Sequence, residues 1–188
     1  MESVEKSLKN AVIVTKKQSI AYKFQNLDIF LRGMASNLKE MLVSKFKVAA
    51  DVKDEVFHIA CIDESIVNRT EFKVDCRSNS AAAYVGSAVL ALRIAQTCYN
   101  LRKTPHEFQE LKSKLTSTEY LASEYDKLFG RTEVLLVWPL ESFPTTKQKN
   151  TLMCALIGAI SEHVSHSMAR DLCDMIAKLS KFYFFVFM

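Results

Sequence analysis

Three groups of residues have types that could do chemistry, and the first is a pair of histidines late in the chain. His163 and His166 lie three residues apart, Glu162 precedes them and Cys173 follows. Histidines at i and i+3 share one face of a helix and could ligate zinc, but the motif with known mechanics is H-E-x-x-H, which has the glutamate inside the pair. Because two ligands do not make a site, we expect no metal here and two histidines on the flank of a helix.

The second group is the polar run Ser78-Asn79-Ser80, which joins an alternating stretch to a long apolar one. If a strand leads into a helix at this point, the free N–H groups of the first helical turn could bind a phosphate. The run lacks the glycines of G-x-G-x-x-G and of the P-loop, however, and Gly86 lies within the following helix, where it allows close packing. The sequence therefore predicts a plain connection from strand to helix.

A nucleophile needs an adjacent base, and the turn between two predicted helices could bring Cys98 and His106 together. No G-x-S-x-G elbow or cysteine-protease signature surrounds either residue. The sequence therefore predicts neither an enzyme nor a cofactor. Five cysteines without close pairing, and first residues that lack the pattern of a signal peptide, predict free thiols in an intracellular protein of the cytoplasm or the nucleus.

Helical periodicity dominates the elements that must position these residues. Apolar residues recur at three and four positions in 26–46, and 81–101 is apolar nearly all round, which predicts a central buried helix. A capping box with proline opens the pattern of 104–130, which predicts one helix, or two with a break near 116–118, and which ends at a glycine. Threonine caps the pattern of 145–179, which predicts the longest helix. The chain has only four glycines and three prolines, against roughly a dozen and nine at average usage, which agrees with long helices and few tight turns.

The predicted fold is α+β. Residues 47–77 contain three short runs of β-branched and aromatic residues, and 132–140 adds a fourth, so we expect a small antiparallel sheet of three or four strands packed against several long helices. The alternative is a mainly α fold. Length and composition suit one domain over 1–188, with 1–24 as an N-terminal arm and 181–188 as an apolar C-terminal tail.

The net charge of +4 is concentrated towards the N-terminus, since residues 1–50 hold nine lysines and arginines against four acids. Three basic groups are candidates for contact with nucleic acid or another polyanion, and the first of them lies near two aromatic residues that could stack on a base. The groups are Lys16, Lys17 and Lys23; Arg102 and Lys103; and Lys147 and Lys149. The last two lysines oppose the dipole at the start of a helix, a cost that a bound anion would reverse.

The C-terminal tail carries more apolar surface than one terminal segment can bury, which predicts self-association. The candidate residues are Phe182, Phe184, Phe185 and Phe187. The tail is too short to span a bilayer, and we expect no transmembrane segment.

Together these features predict a non-enzymatic interaction or assembly protein, a homo-oligomer with basic surface able to contact RNA. The alternative is an adaptor that binds a host or other partner protein and has no nucleic-acid role, followed by a small enzyme with a dispersed site. No motif is specific enough to name a family. In composition alone, poor in glycine and with an apolar terminus, the chain resembles small viral accessory, matrix-type or RNA-silencing-suppressor proteins.

Overall fold

Every regular element in the described part of the chain is a helix. The computed structural model describes residues 27–46, 52–67, 78–130, 134–135 and 143–179. These segments hold eight helices and no strand. The helices are α1 (Leu27–Phe46), α2 (Asp54–Cys61), α3 (Glu64–Val67), α4 (Ser80–Asn100), α5 (Pro105–Leu115), α6 (Thr118–Phe129), α7 (Thr146–His163) and α8 (His166–Ile176).

The predicted α+β fold is therefore wrong, and the mainly α alternative describes these residues. Where the sequence predicts the middle strand of 47–77, the structure has α2, and α3 follows it. Phe57, Ala60 and Cys61 are buried at helical spacing. The strand prediction failed here because a short run that is apolar throughout fits a period of 3.6 as well as a period of two.

The other predicted strands fall mostly on residues that the structure does not describe. Residues 47–51 and 68–77 lie outside the described residues. Of 132–140, only Val134 and Leu135 are described, and both are buried in irregular backbone. The N-terminal arm and the C-terminal tail also lie outside the described residues.

Helix α7 lies at the centre of the fold. Its residues from Leu152 to Ser161 are all buried, and it packs against α2, α4, α6 and α8. A helix that is buried on all sides must be apolar all round, and this stretch carries no charge. The sequence predicts the central buried helix at 81–101, but the structure gives that position to α7.

Helices α4 and α7 meet backbone to backbone, in the most extensive helix contact of the described fold. A Cβ atom added to Gly86 would overlap the Cys154 carbonyl oxygen and lie 2.7 Å from the Gly158 nitrogen. A Cβ atom added to Gly158 would meet the Ala82 carbonyl oxygen in the same way. The close packing predicted at Gly86 is confirmed. Because 82 lies against 158 and 86 against 154, the two helices run antiparallel.

Buried or half-buried charges connect the outer helices. Asp54 of α2 accepts hydrogen bonds from Ser36 and Lys39 of α1, at 3.1 and 2.9 Å, and the Lys39 hydrogen bond is the main cause of a lowered pKa of Asp54. These contacts fix α1 against α2.

Glu124 of α6 is buried and accepts hydrogen bonds from Lys127 at 2.7 Å and from Lys178, just beyond α8, at 2.8 Å. Burial raises the pKa of Glu124, but the two lysines lower it by more, so the pKa lies below its ordinary value. Tyr120 joins the same two elements, because its hydroxyl donates to the Ile176 carbonyl oxygen at 3.0 Å.

Three helix ends follow their sequence signals. The Thr104 hydroxyl accepts a hydrogen bond from the Glu107 amide at 3.3 Å, and the Thr104 amide donates to the Glu107 carboxylate at 2.8 Å, which completes a capping box for α5. Thr145 and Gln148 form the same arrangement for α7. Gly130 ends α6 with φ +58°, a left-handed conformation that favours glycine.

The chain breaks where the sequence predicts one helix over 145–179. Helix α7 ends at His163, and α8 begins at His166. Ser165 between them is extended, and its hydroxyl accepts a hydrogen bond from the Ser167 amide at 3.1 Å. A serine that satisfies the first amides of a new helix competes with continuation of the old one. As a result α4, with 21 residues, is longer than α7, with 18.

Candidate interaction surface

Helix α4 is buried along one side only. The buried residues of this helix are Gly86, Leu90, Ile94, Thr97 and Cys98. The rotation of the helix is fixed by Arg93, whose Nε and Nη2 atoms each lie 2.6 Å from a carboxylate oxygen of Asp174 on α8. A bidentate pair of this kind adds geometric specificity to the attraction between the charges, so α4 has one defined outer side.

The outer side of α4 carries no charge and is largely open to solvent. The exposed residues Ala81 and Gln96 border a strip on this side that we call the α4 face, which comprises Tyr84, Ala88, Ala91, Leu92, Ala95 and Tyr99. At 3.6 residues per turn these six positions share one side of the helix. Tyr84, Leu92 and Tyr99 are 81%, 60% and 84% exposed. Ala88 is exposed as well, whereas Ala91 and Ala95 are half-buried.

The one charged residue of α4 lies beside this face. Arg93 is on the flank of the helix and is held by Asp174. The α4 face is thus an uncharged strip that the described helices leave open.

A groove of about 480 Å³ adjoins the α4 face, lined by Arg93, Gln96, Asn100 and Arg170 together with Ala95 and Tyr99 of the face. The groove is open to solvent, and one of its two arginines is bound to Asp174. Small-molecule sites are more enclosed than this groove. The groove therefore delimits the α4 face rather than forming a ligand site of its own.

The run Ser78-Asn79-Ser80 tethers the start of α4 to neighbouring elements. The Ser80 hydroxyl donates to Glu64 at 3.3 Å. The buried Asn79 side chain donates to the Ala60 carbonyl oxygen at 3.2 Å, and the backbone N–H of Asn79 donates to the Ile62 carbonyl oxygen at 2.8 Å. The Asn79 Oδ1 atom has no hydrogen-bond partner among the described residues, but an acceptor oxygen does not bind an anion. The Glu64 carboxylate beside the first turn of α4 also opposes phosphate binding, because the two negative charges repel each other.

The residues of the metal and nucleophile hypotheses lie on different helices, with His163 on α7 and His166 on α8, and Cys98 on α4 and His106 on α5. His166 opens a helix of its own, and its Nδ1 atom lies 2.8 Å from the Ser161 hydroxyl. Across the described ranges, no group of three or more His, Cys, Asp or Glu residues is placed to hold a metal. His106 is exposed and pairs with Glu110 at 3.4 Å instead of contacting Cys98.

The described cysteines are buried in apolar surroundings. Burial raises the pKa of Cys61 and Cys173 to about 12 and that of Cys154 to about 11. Burial also raises the pKa of Cys98. Because the thiolate is the nucleophile, we expect these thiols to react poorly at neutral pH. Cys76 lies outside the described residues.

Two of the basic candidates are engaged by acids. The Lys103 Nζ atom lies 2.7 Å from Glu107, and the Lys149 Nζ atom lies 2.6 Å from Asp126. The hydrogen bond from Lys103, aided by Thr104, lowers the pKa of Glu107 to about 2. These two lysines therefore offer less free charge to a polyanion than the sequence implies.

Two further basic candidates lie within the described residues, and both are exposed. They are Arg102, at φ +52° just after α4, and Lys147, in the first turn of α7. Because α4 and α7 are antiparallel, these two residues lie towards the same end of the helix pair. The other candidates fall outside the described residues: Lys16, Lys17, Lys23, Phe182, Phe184, Phe185 and Phe187.

Sequence reasoning did not single out the α4 face. The signal that marks it is the pair Tyr84 and Tyr99, since fifteen residues are close to four helical turns and place both phenol rings on one side. Tyrosine is enriched at interfaces because its ring packs against apolar groups while its hydroxyl stays in contact with water.

Among the described helices, α4 alone has the length and apolar composition of a membrane span, and 28% of its most apolar window is buried. The core helix of a soluble protein meets the same criterion.

No family model matches the chain, and neither a curated protein nor a solved structure is significantly similar to it.

Proposed function

We propose that the chain is a non-enzymatic assembly protein that associates with a second copy of itself through the α4 face. The observation that carries this proposal is the high exposure of Tyr84, Leu92 and Tyr99 on a helix side without charge. The cores of protein interfaces are depleted of charged residues and enriched in tyrosine. Tyrosine also supplies a large contact area at a low cost in conformational entropy.

A second copy fits this surface better than a lipid surface does. Helices that lie on membranes carry lysines and arginines on their polar flanks, whereas the arginine of α4 is bound to Asp174. Ala88, Ala91 and Ala95 are small and would insert little into a bilayer. An uncharged face leaves no charge buried and unpaired when it meets another uncharged face, and a buried unpaired charge is costly.

Sedimentation velocity over a dilution series tests the proposal. We expect a mass that rises with concentration from 21.4 kDa towards twice that value. Leu92→Lys should shift the chain to the monomer, because an ammonium group would be buried in the contact. Ser87→Lys is the matched control, since Ser87 is exposed on the same helix but lies outside the α4 face. A monomer at every concentration overturns the proposal.

The tail and the basic residues carry separate predictions. Removal of 181–188 should leave the association intact if the α4 face alone is sufficient, and a loss of association would instead favour the tail. Contact with RNA stays a prediction from the sequence. Phosphate contacts release counterions, so retention of RNA should fall steeply with salt and should weaken when Arg102 and Lys147 are replaced by glutamate.

A further inference from the structure

The α4 face has the same spacing of residues in both directions along the helix. Its six positions are separated by four, three, one, three and four residues, and their order is Tyr84, Ala88, Ala91, Leu92, Ala95 and Tyr99. A large aromatic side chain stands at each end, and a small side chain follows it inwards on both sides. The midpoint lies between Ala91 and Leu92.

We infer that two copies pair through α4 in antiparallel orientation, about a two-fold axis between Ala91 and Leu92. The inference rests on the proposed function, because it specifies the geometry of that association. In this arrangement Tyr84 is level with the partner's Tyr99, and Ala88 is level with the partner's Ala95. Leu92 is level with the partner's Ala91 and packs beside the partner's Leu92, so two leucines meet at the axis.

Side-chain size supports close approach in this register. The distance between packed helices depends on the side chains at the contact. Ala88 and Ala95 are small on both sides of the axis, and Ala91 is small at the axis itself, where it leaves room for the leucine of the other copy. The two backbones can therefore approach near the axis, while the tyrosines cover the ends of the strip.

Charge distinguishes the antiparallel arrangement from a parallel one. Arg102 follows the end of α4 and is exposed, and Glu64 lies beside the start of α4, where it accepts the Ser80 hydroxyl. Antiparallel pairing brings Arg102 of one copy towards the partner's Glu64 and opposes the two helix dipoles. Parallel pairing brings the two Arg102 side chains together and aligns the dipoles.

The size of the strip sets the expected strength. From Tyr84 to Tyr99 the helix rises about 22 Å, and a helix with its side chains is about 10 Å wide. This strip is small beside the roughly 800 Å² that each partner buries in a standard interface. We therefore expect a dimer that dissociates on dilution. An isologous contact is also closed, so the mass should stop at two copies.

Disulfide cross-linking of the full chain tests the orientation. The parent variant is Cys76→Ser, because the four described cysteines are buried. Ala88→Cys and Ala95→Cys are made separately, and one of them carries a tag that changes its mass. In the antiparallel register, the mixture should form a cross-linked heterodimer on mild oxidation. Each variant alone should form none, because identical residues lie seven positions apart, about 10 Å along the axis, beyond the Cα separation of about 7 Å that a disulfide spans.

The outcomes separate failure of the inference from failure of the proposed function. A dimer in which each variant cross-links with itself overturns the antiparallel inference in favour of a parallel pair. A dimer that cross-links in neither experiment overturns the assigned register while leaving self-association intact. A monomeric chain that floats with phosphatidylcholine vesicles, and loses flotation on Leu92→Lys, overturns both in favour of a membrane surface.

Discussion

Replacing Gly86 with alanine tests the contact that holds α4 against α7. The new methyl group would overlap the Cys154 carbonyl oxygen and lie 2.7 Å from the Gly158 nitrogen. Both are backbone atoms of a helix, which cannot rotate away as a flexible side chain can, so the helices must separate. Overpacking costs up to about 3 kcal/mol, and alanine gains about 1 kcal/mol of helix propensity over glycine. We expect a net loss of about 2 kcal/mol in the free energy of unfolding.

Urea unfolding followed by circular dichroism measures this loss. With a denaturant slope of about 2 kcal/mol per molar, the midpoint should fall by about 1 M. The matched control is Gly33→Ala in α1, where an added Cβ has no neighbour within 4 Å. This substitution should raise the midpoint by about 0.5 M through helix propensity alone. If Gly86→Ala unfolds at the same midpoint as Gly33→Ala, the two helices do not approach as described.

Three further measurements test other parts of the fold. A double-mutant cycle with Arg93→Met and Asp174→Asn should give a coupling energy of about 1–3 kcal/mol, and a value near zero would mean that the bidentate pair does not form in solution. The lowered pKa of Glu124 contributes stability that is present above the unfolded pKa of about 4.3 and is lost as pH falls through the folded pKa. Glu124→Gln should therefore flatten the loss of stability below about pH 5, and an unchanged acid slope would contradict the ion cluster. The four described thiols should react with a disulfide reagent at about pH 8 only after unfolding, because burial raises each pKa, and rapid labelling of native Cys76→Ser protein would refute their burial.

Helix ends with a local signal were predictable from the sequence. Thr104 with Glu107, Thr145 and Gly130 each act within one turn of the backbone that they cap, so a short window of sequence contains the whole interaction. The apolar stripe of α1 was predictable as well, because its three- and four-residue spacing is visible in the sequence, and Leu31, Leu38 and Leu42 are among the buried residues.

Helix α2 was not predictable in this way. Nearly every residue between Val56 and Cys61 is apolar, so neither a helical nor a strand period stands out. What distinguishes the two is packing against α1 and α7 and the hydrogen bonds that Asp54 receives from Ser36 and Lys39. These partners lie fifteen or more residues away along the chain, beyond the reach of a local pattern.

The side of α4 that faces the core also cannot be predicted from hydropathy, because the helix has a single charged residue in 21. Side-chain size carries the information instead. Glycine is required where another backbone approaches, so Gly86 marks the inner side, and Tyr84 and Tyr99 mark the outer side, where they are more than four-fifths exposed. An apolar helix that served the core alone would be expected to place its largest side chains inwards, where their burial contributes most to stability. Since α4 places its two tyrosines outwards, their burial contributes only if a partner covers them, and the outward position of the largest side chains of α4 is therefore a physical argument for assembly.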